Sequence, residues 1–217
     1  MKKINPSIND ASTLPGEFYS SDDYFKKTKE NLFPKTWQLI GSPDVVKISS
    51  FAYPFTFLEG FIDEPLVFIN NKKGELNCFS NVCTHRGNIL IEYEGPIRKH
   101  LSCGYHGRRF SDKGGFLSMP ESDGMNNFPC KDDNLTKVPH NKWKQFLFSS
   151  LDPEINFKDF IHQMDSKVGW LPIENFKYDP NLSRDYLVKA NWALYCDNYL
   201  EGFHIPFIHK DLAQSLD

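Results

Sequence analysis

No run of apolar residues in this chain approaches the length of about 20 that a membrane-spanning helix requires. The longest, Pro65-Leu66-Val67-Phe68-Ile69, has the size of a buried strand. The start, Met1-Lys2-Lys3-Ile4-Asn5-Pro6, turns polar at once and lacks the apolar stretch of a secretory leader. Excess charge of one sign is also missing. Acidic and basic residues are interspersed and sum to −3, which points away from nucleic acid and from an anionic membrane as partners. Cysteine is sparse and odd in number: Cys78, Cys83, Cys103, Cys130 and Cys196 make no disulfide framework, and a reducing cytoplasm is the expected setting. There is no internal repeat and no low-complexity tract. What is plentiful is aromatic surface, 15% of residues with 19 Phe, which demands a core.

The 217 residues divide by pattern into three stretches. Residues 1–36 read as a polar arm with Pro6 and Pro15, then a helix opened by Ser20-Ser21-Asp22-Asp23 and stopped by Pro34. Residues 37–150 hold short apolar runs broken by turn residues. Trp37–Ile40, Leu66–Ile69, Leu76–Phe79 and Gln145–Phe148 predict strands, with hairpin turns at Asn70–Gly74 and Asp112–Gly115. Residues 151–217 loosen through Pro180. They then give a strand candidate at Tyr186–Lys189 and an amphipathic helix carrying Trp192, Tyr195, Cys196 and Tyr199.

Two loops within the β-rich stretch carry chemistry. Cys83-Thr84-His85-Arg86-Gly87 and Cys103-Gly104-Tyr105-His106-Gly107 each pair one cysteine with one histidine, and 17 residues separate His85 from Cys103. Two thiolates on one iron and two imidazoles on the other make a [2Fe-2S] centre of the Rieske kind, and each loop can hand a ligand to each iron. A structural zinc site is the alternative, since Cys2His2 also suits tetrahedral zinc. Zinc modules more often pair Cys with Cys and His with His. Cys78, Cys130 and Cys196 are expected to be small apolar filler.

A second group follows the helix: Glu201-Gly202-Phe203-His204-Ile205-Pro206-Phe207-Ile208-His209. On an unbroken helix two histidines five apart point about 140° away from each other. A break at Pro206 is expected to let both rings turn toward one ion. Alone, His-x4-His is a weak signal.

Together, Trp37, the two Cys/His loops, Asn191-Trp192, Asp197-Asn198-Tyr199-x-Glu201 and His204-x4-His209 resemble the Rieske non-haem iron oxygenases, the α subunits of aromatic-ring-hydroxylating dioxygenases and their monooxygenase relatives. The resemblance implies an α+β chain: an antiparallel β Rieske domain, then the start of a helix-grip-like catalytic domain. It implies a [2Fe-2S] cluster on Cys83, His85, Cys103 and His106, and a mononuclear Fe(II) on His204 and His209. Glu201 takes the place of an acid that bridges His204 to the neighbouring subunit's counterpart of His106. Electrons from NAD(P)H are implied to arrive through a ferredoxin or flavin reductase. O2 and a small organic substrate, aromatic or quaternary amine, are the reactants, and a trimer is the implied assembly. A Rieske ferredoxin-like carrier or an inactive remnant remains the alternative.

Three departures stand out. The family's carboxylate ligand to iron lies farther downstream, and neither Asp211 nor Asp217 matches it, so residues 1–217 alone are expected to lack oxygenase activity. Arg108 replaces the aromatic residue that often follows Tyr-His-Gly. The bridging acid is Glu, as in relatives acting on quaternary amines. Asn88 and Tyr105 stand where respiratory Rieske loops carry an extra cysteine pair, so a low-potential cluster is expected, near the bottom of the Rieske span at about −150 mV.

Overall fold

The computed structural model describes residues 4–42 and 47–216. Met1-Lys2-Lys3, which open the leader reading, and Asp217 lie outside the described residues. There are two compact units, Lys29–Phe176 and Met1–Thr28 with Lys177–Asp217.

The larger unit is built from antiparallel strands. β1 (Gln38–Gly41), β10 (Phe146–Ser149) and β9 (His140–Trp143) form one sheet in the order β1-β10-β9. β4 (Leu76–Ser80), β3 (Glu64–Asn70), β2 (Phe51–Phe57) and β5 (Gly95–Pro96) form a second in that order, and β6 (Leu101–Ser102), β7 (Arg109–Phe110) and β8 (Phe116–Ser118) a third. β3 explains its own apolar run, because both of its faces are covered. Leu66 and Phe68 enter one core with Phe57, Cys78, Val138 and Leu147, while Val67 and Ile69 enter another with Phe79, Leu101 and Phe110. Alternation along a strand sends successive side chains to opposite faces, so burial on both sides demands apolar residues throughout.

Both expected hairpin turns are present. Between β3 and β4 the Asn71 side chain accepts the backbone N–H groups of Lys73 (2.9 Å) and Glu75 (3.0 Å), and Gly74 supplies a φ of 77°. Between β7 and β8, Gly114 has φ +78°, and a Cβ there would stand 2.5 Å from the Phe79 ring. Only glycine fits that turn.

β2 escaped the strand reading because Pro54 sits inside it. Pro54 faces Val67 of β3, while β5 pairs only with Phe51 and Ala52, so the ring lies where no second neighbour needs its missing N–H. The stretch read as loose after Pro153 contains a helix, α3 (Phe157–Val168), capped by Asn156 accepting from Lys158 N at 2.9 Å. Its Phe157 and Ile161 pack with Trp37, Trp143, Phe148 and Ile173 in a third core. The spacing of Phe157, Ile161, Met164 and Val168 carried the helical period in plain view.

The smaller unit is helical. α1 (Glu17–Ser20) precedes α2 (Asp22–Asn31), whose first turn carries Asp22 and Asp23 as expected. α4 (Trp192–Leu200) is capped by Asn191, which accepts from Ala193 N at 3.0 Å, and is followed by α5 (Ile205–Ile208) and α6 (Lys210–Ala213). Tyr19 Oη donates to Asp197 at 2.5 Å and Asn191 Nδ2 to Tyr19 O at 3.2 Å, tying α1 to α4.

The strand expectation fails in this unit. Tyr186–Lys189 forms no strand, because it has no ladder partner among the described residues and its side chains are exposed. Tyr195, Cys196 and Tyr199 lie on an exposed helix face; Ala193 is the residue that α4 buries. Among the described residues no helix is long and apolar enough to cross a membrane.

Candidate metal centres

The two Cys/His loops are built to one plan. Cys83 N donates to Asn88 O (2.8 Å) and Gly87 N to Cys83 O (3.0 Å). Cys103 N donates to Arg108 O (2.8 Å) and Gly107 N to Cys103 O (3.0 Å). Each loop is thus a closed spur whose return leg needs a left-handed residue. Gly87 (φ 72°) and Gly107 (φ 69°) provide it, which is the local reason for His-Arg-Gly and Tyr-His-Gly.

Both cysteines are rooted in the same core as Val67, Phe79 and Phe110. The histidines project outward, and their rings meet edge to face with centroids 4.8 Å apart. Tyr105 is exposed, and its ring lies tilted against His106 with centroids 3.8 Å apart. The structure therefore sorts the four side chains by type, thiol beside thiol and imidazole beside imidazole. Among the described residues, no three His, Cys, Asp or Glu side chains are grouped to hold a single metal ion. A two-iron cluster takes its thiolates on one side and its imidazoles on the other.

The electrostatics follow the same division. Burial pushes the Cys83 thiol up, against a backbone hydrogen bond from His85. Cys103 is also penalised by burial. Yet it ends lower than an ordinary thiol, because the N–H groups of Tyr105 and His106, the Cys83 thiol and the Asn88 side chain all donate toward its sulfur. His85 is held low by desolvation first, then by the charges of His106 and Arg108.

Sequence reasoning missed the frame around these loops. Arg108 is 2% exposed. Its Nη2 donates to Asp133 Oδ1, and its guanidinium lies 4.9 Å from the Phe116 ring, 5.5 Å from Phe128 and 5.9 Å from Phe110. Asp133 Oδ2 accepts Cys130 N at 2.7 Å, and Asp133 O accepts Thr84 Oγ1 at 2.9 Å. One acidic residue on the 3-10 turn Lys131–Asp133 thus anchors both spurs, Thr84 on the first and Arg108 on the second. A charged residue directly after a ligand loop was the available signal; its partner, 25 positions away, was not legible.

The remaining cysteines divide. Cys78 is buried filler, its thiol pushed up to about 12 by burial. Cys130 and Cys196 are exposed, contrary to expectation, the first because its backbone opens the 3-10 turn at the surface and the second because α4 turns it outward.

Glu201, His204 and His209 stand together in the smaller unit. His204 and His209 flank α5, with ring centroids 5.2 Å apart. Pro206 does not break the chain between them. It sits in the first turn of α5, where its missing N–H costs nothing, and Ile208 N→His204 O (2.9 Å) and His209 N→Ile205 O (2.9 Å) close the turn around it. The rings converge because the chain leaves helical geometry before His204 and again at His209 (ψ 63°). Glu201, at the end of α4, accepts from Phe203 N at 2.6 Å and engages His204 Nδ1. The His204 contact draws its carboxyl below the usual range. Holding Nδ1 leaves Nε2 as the ring nitrogen free for a metal. Asp211 completes no three-ligand group with this pair.

Known proteins are similar to this chain in sequence and fold. Residues 37–129 match the model of the Rieske [2Fe-2S] domain, and residues 169–217 that of the ring hydroxylating alpha subunit catalytic domain. The chain is 28% identical over 227 residues to the chloroplastic choline monooxygenase of Beta vulgaris, covering 99% of this chain and 49% of that protein. It is 27% identical over 211 residues to the carnitine monooxygenase oxygenase subunit of Escherichia coli K12, covering 95% and 54%. A crystal structure of the quaternary ammonium Rieske monooxygenase CntA with L-carnitine superposes with TM-score 0.75 at 25% identity, over 95% of this chain and 58% of that one. The chain spans about half the length of the curated relatives it matches.

Proposed function

Because this chain belongs to the Rieske non-haem iron oxygenases, we propose that it serves in an oxygenase α subunit that hydroxylates a quaternary ammonium compound. Residues 37–150 are assigned to the cluster domain and 151–217 to the first part of the catalytic domain. The observation that carries this reading is the sorted ligand set: paired thiols in the core and paired imidazoles at the surface, on two spurs of one design. Cys83, His85, Cys103 and His106 are assigned to a [2Fe-2S] cluster, and His204 and His209 to a mononuclear iron. When bound, the cluster supplies single electrons and the iron supplies the chemistry of O2 activation.

The chain's own residues do the rest. Backbone N–H groups aimed at Cys103 favour the thiolate a cluster needs. Glu201 keeps the proton of His204 on Nδ1 and orients the ring. The exposed edge of His106 can meet a Glu201 from a neighbouring subunit, so a closed oligomer, a trimer by family resemblance, fits the reading. A reductase drawing on NAD(P)H is the implied electron source. The quaternary-amine preference rests on Glu201 and on the choline and carnitine monooxygenases among the relatives. A free-standing ferredoxin has no use for the stretch that matches the catalytic-domain model.

Elemental analysis with EPR tests the cluster: two iron and two sulfide per cluster domain are expected, and zinc without iron overturns the assignment. In the whole protein, Glu201→Gln is expected to keep both metal sites filled while slowing electron transfer about 10–100-fold. Loss of the mononuclear iron instead would make Glu201 a ligand and sink the bridging role.

A further inference from the structure

We propose that Arg108 and Asp133 form a charge pair that sets the reduction potential of the cluster, with Arg108 holding it up and Asp133 restraining it. This deepens the reading of Cys83, His85, Cys103 and His106 as cluster ligands and rests on it.

Arg108 is placed for the task by its backbone and by its surroundings. Its carbonyl accepts the N–H of Cys103 at 2.8 Å, so its charge is fixed at the root of the second spur. Its side chain is 2% exposed, and water does not screen it as it would a surface arginine. One carboxylate oxygen and the faces of Phe110, Phe116 and Phe128 are its neighbours, while its Nε has no hydrogen-bond partner among the described residues. The charge is therefore only partly neutralised. Asp133 accepts from Thr84 of the first spur and pairs with Arg108 of the second, so the pair clamps both spurs as well.

Reduction adds one negative charge to the cluster, and net charge nearby is one of the levers on a cluster's potential. A fixed positive charge stabilises the reduced form and raises the potential; a fixed negative charge lowers it. A clamp without electrostatic effect predicts something else, namely that loosening it from either end moves the potential the same way.

Three variants of the whole protein separate these cases: Arg108→Gln, Asp133→Asn, and the two combined, a neutral pair. Cluster content is read first from iron, sulfide and the visible spectrum, then the midpoint potential by titration followed by EPR. Arg108→Gln is expected to lower the potential, Asp133→Asn to raise it by less, and the double variant to fall between them. Shifts of the same sign, or no shift in variants that retain the cluster, overturn the proposal. If Arg108→Gln does not hold a cluster, Asp133→Asn decides alone: an upward shift supports the pair, and a downward or absent shift refutes it. A wild-type protein without a [2Fe-2S] cluster fails the underlying ligand assignment instead.

Discussion

The two candidate metal centres are held in opposite ways. The Cys/His spurs close on themselves through paired backbone hydrogen bonds, root their cysteines in a core and are clamped from outside by Asp133. The Glu201–His204–His209 group hangs on a one-turn helix whose apolar residues, Phe207 and Ile208, are exposed, and its order comes from the two contacts of the Glu201 carboxylate, with Phe203 N and His204, and from local backbone bonds. An electron-transfer centre benefits from rigidity, because little reorganisation should accompany each electron. The rigid frame is therefore in keeping with the role proposed for the Cys/His spurs.

That contrast breaks most visibly at Gly114. A methyl group there meets the Phe79 ring at 2.5 Å, in a core that includes both cysteines, and the backbone at φ +78° resists any L side chain. Gly114→Ala is expected to destabilise the larger unit by about 3 kcal/mol, the sum of overpacking and left-handed strain. Urea denaturation followed by Trp fluorescence measures it. An unchanged midpoint would mean that the core beneath the spurs is softer than its packing indicates.

The next effect appears on acidification. Asp133 is held below the usual carboxylate range, first by the Cys130 backbone N–H and then, against a desolvation penalty, by Arg108. A carboxyl with a depressed folded pKa contributes stability that is fully present above its unfolded value of about 4 and is lost as pH falls through the lower folded value. Protonation removes a charged hydrogen-bond partner from buried Arg108, so a loss of about 2 kcal/mol is expected across that acidic window. Comparing acid unfolding of the wild type with Asp133→Asn checks it. The variant should be less stable at neutral pH, and its stability should vary less below pH ~4. Parallel pH curves for the two proteins would remove Asp133 from the account.

What the sequence made legible tracks how local each cause is. Cys83 to Gly87 and Cys103 to Gly107 carry their spur geometry within five residues, glycine included, so ligands and loops could be read together. The strands with short, locally apolar runs, β3 and β4, could be read for the same reason. β2 was hidden by Pro54, whose tolerance depends on a neighbour as short as β5. α3 was hidden by nothing physical, since its period is regular. The Arg108–Asp133 pair could not be read, because it is made by the fold across 25 positions. Tyr186–Lys189 shows the reverse error: strand propensity without a partner forms no strand, since the ladder and not the residue type supplies the hydrogen bonds.

The smallest effect compares two helices that begin alike. Asn156 caps α3 and Asn191 caps α4, each accepting a backbone N–H two residues on. Removing such a cap costs about 1 kcal/mol where the helix end is coupled to the rest of the fold. α3 has that coupling, because Phe157 and Ile161 in its first turns pack against Trp37 and Phe148. Asn156→Ala is therefore expected to lower the urea midpoint of the larger unit. α4 buries only Ala193, and Asn191 is tied to Tyr19 O by its amide nitrogen. Its loss should free the amides of α4 to exchange faster while leaving the larger unit's midpoint in place. Asn191→Asp separates the two contacts: a carboxylate still accepts from Ala193 N but cannot donate to Tyr19. If Asn191→Asp protects α4 as well as the wild type does, the cap alone orders that helix. If it exchanges like Asn191→Ala, the tie to α1 matters more than the cap. Equal midpoint losses for Asn156→Ala and Asn191→Ala would contradict the contrast, since they would show α4 to be as firmly built into the fold as α3.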